Sequence, residues 1–127
     1  MSKWQIEQIP NTDRVFRNLN PRNVQEGIIM PHAFTDHKGK PSVNWEKYCS
    51  NPVDSPKRMN PDPKAYSRFG VCALNVGMIR KIASQDAIHE PTDINRAHSA
   101  IIGEKTERVL NALCDIAEIV VDIPGNS

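Results

Sequence analysis

The stretch HSAIIGEKTERVLNALCDIAEIVV, residues 98–121, carries an apolar run of strand length, a glycine break and a helical pattern in direct succession. Residues 98–102 are the apolar run, and Gly103 interrupts it. Within 104–121, Val109, Leu110, Leu113, Ile116, Ala117 and Val120 fall at the spacing of one helix face. Glu104 and Glu107 stand near the start of that helix, where carboxylates complement its dipole. Asp115 and Glu118 stand near its end, where they do not. A strand leading into one long C-terminal helix sets the frame for everything upstream.

Working outward, GVCALNV at 70–76 is continuously apolar, as a strand buried on both faces is. Asn75 is placed to cap a short helix over 76–85, because its side-chain oxygen can accept an orphan backbone N–H. Met78, Ile79, Ile82 and Ala83 give that helix an apolar stripe. Residues 87–90 read as a brief strand stopped by Pro91. Residues 14–19 read as a strand closed by Pro21, since proline lacks the ladder donor. Residues 28–34 and 42–49 read as two extended pieces around DHKGK, where Gly39 supplies a permissive backbone. In the second piece Val43, Trp45, Lys47 and Cys49 alternate with Asn44, Glu46 and Tyr48, although WEKY also fits one helical turn. Residues 50–69 hold four prolines and no apolar period, the pattern of a long surface loop. The first ten residues read as an arm that Trp4, Ile6 and Ile9 could dock. The expected fold is α+β: a small, mostly antiparallel sheet with one long C-terminal helix and one short helix packed on it, in a single domain over 1–127.

Composition narrows the function classes. Sixteen basic and 15 acidic side chains leave a net charge of +1. A dedicated nucleic-acid binder shows a clearer basic excess, so Arg14, Arg17, Arg22, Lys57, Arg58 and Arg68 make nucleic acid the weakest partner class. No apolar run reaches the roughly 18–20 residues of a membrane span, and MSKWQIEQIP has no signal-peptide core. The expectation is a cytoplasmic chain. Cys49, Cys72 and Cys114 form no CxxC pair and read as free thiols, Cys72 and Cys114 as core residues. No metal and no cofactor is expected.

The densest polar stretch is IHEPTDINRAHSAIIG at 88–103. If two strands flank residues 91–97, His89 and His98 lie at the two mouths of that connection. They would then suit an acid–base pair, since imidazole titrates near neutral pH. A metal site with Glu90 or Asp93 is the rival chemistry, and a polar turn built on Asp93 or Asn95 is the plain alternative. HExxH, paired His-x-Ser/Thr, P-loop, GxGxxG and GxSxG patterns are all missing. A second candidate is PHAFTDHKG, where a regular strand would turn His32 and Asp36 to one face and His37 to the other. A third is a constellation of His32, Trp45, Tyr48, His89, Asn95, Arg96 and His98 lining one cleft, with the proline-rich loop as lid and Arg96 reading an anion.

The block order PHAF, SVNW, GVCALNVG, IHEP and NRAH resembles that of small prokaryotic proteins with no established activity. The resemblance spans residues 15–117 and implies a prokaryotic cytoplasmic origin, with no residue roles. Short length, balanced charge and the missing motifs lead to a binding or interaction protein, with a protein partner or a small anionic ligand, acting as an accessory subunit. The alternative is a small enzyme using His89 and His98 on a phosphodiester or nucleotide substrate.

Overall fold

The computed structural model describes residues 2–124, apart from the side chains of Asp36 and His37, so that candidate pair lies outside the described side chains. Along the chain the strands are β1 (Arg14–Leu19), β2 (Val24–Gln25), β3 (Ile28–Ile29), β4 (Ser42–Trp45), β5 (Gly70–Asn75), β6 (Asp86–His89), β7 (His98–Ile102) and β8 (Glu118–Val121). The helices are α1 (Asp36–Gly39), α2 (Ser55–Met59), α3 (Pro63–Tyr66), α4 (Val76–Lys81) and α5 (Glu107–Ile116). Six strands form one antiparallel sheet in the order β6-β7-β4-β1-β5-β8, and β2 and β3 pair separately. The α+β class and the antiparallel sheet therefore hold.

Register sorts the side chains between two faces, because successive residues of a strand point to opposite sides. Val15, Trp45, Leu74, His89 and Ile101 share one face. Val109 and Leu113 of α5 and Ile79 of α4 close the main core over it. Phe16, Asn44, Ala73 and His98 share the other face, where α2 packs on β1 and β5. Phe16, Cys49, Val71, Ala73 and Ala97 make a second, smaller cluster there.

The long C-terminal helix is the main correction. It begins at Glu107, capped by Thr106 Oγ1 accepting from the Val109 N–H at 3.2 Å, and ends at Ile116 after ten residues. Ala117 turns extended, and residues 118–121 become β8 on the edge of β5. Two causes agree. Ile119, Val120 and Val121 are β-branched and favour a strand, and β5 would otherwise present an unpaired edge. Backbones approach closely at Gly70, where a Cβ would lie 2.6 Å from the Val121 carbonyl oxygen.

The expected hairpin of 28–34 with 42–49 does not form. Residues 28–29 pair with β2 instead, across Glu26 and Gly27 at φ of 52° and 78°. Pro31–Phe34 is a 3-10 turn, and β4 stops at Trp45 before a turn through Tyr48. Residues 50–69 are not a loose excursion. They fold as a 3-10 turn, Pro52–Asp54, then α2 and α3, with Ser55 and Pro56 buried. Proline is tolerated in a first helical turn, and the Asn51 and Asp62 side chains cap two of these turns by accepting from Val53 and Lys64 N–H groups. Asn75 caps α4 as expected, through the Met78 N–H at 2.9 Å. That helix stops at Lys81, and Met78 is exposed. Cys72 is buried in the core, and desolvation pushes its thiol up to about 12.

Leu113 is fully buried beneath the sheet. Leu113→Ala is expected to lower stability by about 2–5 kcal/mol, read as a lower urea midpoint with an unchanged slope.

Candidate functional site

The sequence candidates divide between the two faces. His89 and His98 sit on adjacent strands, but His89 faces Ser99 in the ladder, so the two imidazoles point to opposite sides of the sheet. They do not form a pair. Among the described residues, no three His, Cys, Asp or Glu side chains converge as metal ligands would.

On the first face, His89 is 2% exposed and fully engaged. Its Nδ1 accepts from the Glu7 backbone N–H at 3.1 Å, so Nε2 carries the proton and donates to the Arg96 carbonyl at 2.7 Å. Its ring lies 5.1 Å edge-on to Trp45 and 5.9 Å stacked on Tyr48. Arg96 lies between the Trp4 and Tyr48 rings, at 4.4 and 4.1 Å from their centroids. Its buried Nε has no hydrogen-bond partner, and the two aromatic faces supply the compensation. Trp45, Tyr48, His89 and Arg96 therefore do meet, but the chain's own arm occupies the place they form. The Glu7 carboxylate accepts from Lys47 Nζ at 2.7 Å and from the Tyr48 hydroxyl, with Arg96 at 3.9 Å. Lys47 and then Tyr48 hold the Glu7 carboxyl below the usual carboxylate range, and Glu7 raises Lys47 in return.

On the second face lies a cleft of about 480 Å³. It arises from the register. β1 pairs with β5 along its whole length, but with β4 only at Val15–Trp45 and Phe16–Asn44. Past Phe16 the two strands part. Arg17, 9% exposed, bridges the opening by donating from Nε to the Ala33 carbonyl at 2.9 Å and from an Nη to the Ser42 carbonyl at 2.8 Å.

A buried amide network floors the cleft. Asn44 Nδ2 donates to the Ser55 carbonyl and hydroxyl oxygens at 3.2 and 2.9 Å. Asn44 Oδ1 accepts from Asn95 Nδ2 at 2.8 Å. The Ser55 hydroxyl donates to Asn18 Oδ1 at 2.6 Å. Asn95 Oδ1 accepts from the Ala97 N–H at 3.1 Å and from an Arg58 Nη at 3.2 Å. Arg58 lines the cleft, and no carboxylate of the described residues lies within ion-pair distance of it. It also faces the Cys49 thiol, which burial pushes up. His98 closes one wall. Its Nδ1 lies 2.8 Å from the Glu90 carbonyl, and its Nε2 lies 3.2 Å from Ser42 Oγ. Met59, Phe69 and Ile94 form an apolar mouth.

His32 does not line the cleft but is bonded to Asn23, which does. His32 is exposed on its 3-10 turn, with Nδ1 accepting from Asn23 Nδ2 at 3.2 Å. Of the expected constellation, Asn95 and His98 reach the cleft. Ser42, Asn18 and Asn44 are not site candidates in the sequence reading, and Arg58 enters it only among the basic residues of the nucleic-acid reading. Asn44 alone left a signal, as a polar residue inside an alternating strand. Comparison with protein-family models, curated proteins and solved structures finds no match to this chain.

Two outcomes test this geometry. The Glu7 carboxyl is depressed in the folded chain, so its stabilisation is present above the usual carboxylate range and is lost as pH falls through the folded value. Acidification is expected to release residues 2–9 before the sheet unfolds, and Glu7→Gln to release them at neutral pH. Amide hydrogen exchange of the arm reads both. Asn44→Ala leaves the Asn95 Nδ2 donor without its partner, removes a donor from the Ser55 carbonyl and hydroxyl oxygens, and is expected to cost about 1–3 kcal/mol. Faster amide exchange in residues 55–59 would accompany that loss.

Proposed function

We propose that this chain is a small binding domain whose ligand carries an anionic group and enters the cleft between β1 and β4. The observation that carries the reading is Arg58, a guanidinium at the cleft wall held by the Asn95 amide oxygen and lacking a carboxylate partner among the described residues. Such a group favours a carboxylate or phosphate, which accepts its planar donor fork. The buried amides hold the wall rigid before the ligand arrives, so little ordering remains to be done on binding. The apolar mouth suits a ligand with an apolar part behind its anionic group.

Arg96 is not the anion reader in this proposal, because its guanidinium already lies between Trp4 and Tyr48. A two-histidine reaction on a phosphodiester or nucleotide is set aside as well. His89 has both ring nitrogens committed to backbone groups and faces away from His98.

A second reading is docking of a partner protein, with this chain as an accessory subunit. Ile94, 90% exposed, and Met59, 53% exposed, favour it, since both lie at the mouth of the same cleft.

The test is a titration followed by NMR, using succinate, phenyl phosphate and a neutral amide control. The expected result is shifts at Asn95, His98 and residues 55–59 with either anion. Arg58→Gln should then weaken binding roughly 10- to 100-fold, the equivalent of one charged hydrogen bond. Equal affinity of wild type and Arg58→Gln would sink the proposal.

A further inference from the structure

Ser42 and His98 form a contact that binding alone does not require. They lie on neighbouring strands, β4 and β7, with side chains on the face that carries the cleft, and both line it. The Glu90 main-chain oxygen can only accept, so the proton on His98 Nδ1 points at it across 2.8 Å. In the neutral ring that leaves the Nε2 lone pair facing Ser42 Oγ at 3.2 Å. The Glu90 N–H donates back to the His98 carbonyl at 2.9 Å, which fixes both partners in register. Ser42 is held as well, its carbonyl accepting from Arg17. Nucleophile, base and a group that orients the base thus stand in a line, the arrangement that activates a serine hydroxyl.

We infer that Ser42 and His98 are a nucleophile–base dyad and that the cleft hydrolyses a carboxylic ester bearing an anionic group. The inference rests on the binding reading above for the placement of that anionic group at Arg58. Ser42 Oγ attacks the ester carbonyl carbon, and its proton passes to His98 Nε2. The new Oγ–C bond forms as the C–O bond to the alcohol breaks, and the departing alkoxide takes the proton from His98. Water then attacks the acyl group with His98 accepting its proton. The acid leaves, and that proton returns to Ser42 Oγ. The sum is ester plus water giving acid plus alcohol, with no oxidant or reductant. The Glu90 carbonyl stabilises the imidazolium formed in each half. An ester suits the cleft better than a phosphoryl group. Phosphoryl transfer calls for several cations on the transferred group, and Arg17 donates to backbone carbonyls, leaving Arg58 to face the ligand.

The test pairs a neutral alkyl fluorophosphonate with hydrolysis of mono-p-nitrophenyl succinate, using the full chain. In the label, an Oγ–P bond forms, the P–F bond breaks and fluoride leaves. Peptide mass mapping is expected to find one label per chain, on Ser42. Ser42→Ala should abolish labelling and ester turnover, and His98→Gln should reduce both by about 100-fold or more. An amide NMR fingerprint of each variant that matches the wild type away from the substituted residue shows that the cleft is still folded. An unlabelled Ser42 in a chain that still binds succinate overturns the dyad and leaves the binding reading standing. A labelled Ser42 in a chain that binds neither anion upholds the dyad and removes the binding reading.

Discussion

Asn44 stands at the last point where β1 and β4 remain paired, opposite Phe16. It is 5% exposed, and a buried amide must find its partners inside the protein. Three separate pieces of chain supply them: Ser55 at the start of α2, Asn95 in the turn before β7, and through Ser55 the Asn18 side chain of β1. One polar side chain therefore sets where the proline-rich segment lies and how the turn at residues 92–95 is held. The network also fixes the width of the opening between the strands. If α2 lifted away, Asn44 and Ser55 would lose these bonds together. That coupling explains why a segment with so little apolar content is ordered.

The sheet separates two polar groups that look continuous in sequence. Residues 88–98 contribute to both faces, because side chains alternate along β6 and β7. His89 and Arg96 belong to the arm-binding side, where Glu7 has taken the place of any external anion. Asn95 and His98 belong to the cleft. On the arm side every polar partner is supplied by the chain itself, apart from the Arg96 Nε between its two rings. On the cleft side Arg58 has an amide partner and no carboxylate among the described residues. What separates the two groups, rather than the residue types, is that the chain places the Glu7 carboxylate on the arm side and, among the described residues, no carboxylate beside Arg58.

Much of the local structure was legible because it follows from short-range physics. The apolar run of β5, the Asn75 cap and the strand at 14–19 needed only periodicity and side-chain chemistry. Of the arm residues Trp4, Ile6 and Ile9, Ile9 docks at 1% exposure and Trp4 lies against Arg96, but Ile6 is 77% exposed. The errors share one cause. Residues 118–121 fit a helix face equally well, and they became a strand because β5 had an open edge. Residues 28–29 left their expected partner because the Glu26–Gly27 turn gave them a nearer one. Residues 50–69 have no period to read, and their order comes from buried hydrogen bonds to distant strands.

By itself the sequence determined the α+β class, most strand positions, the Asn75 helix cap and the polar character of residues 88–98. Each is set by neighbours within a few positions along the chain. The tertiary structure decided which of those polar residues share a space. That choice depends on strand register and on the gap between β1 and β4, where a shift of one residue sends a side chain to the opposite face. Ser42 meets His98 through the pairing of β4 with β7, and Arg58 lines the same cleft, which opens where β1 and β4 part beside Asn44. No local pattern can encode that opening.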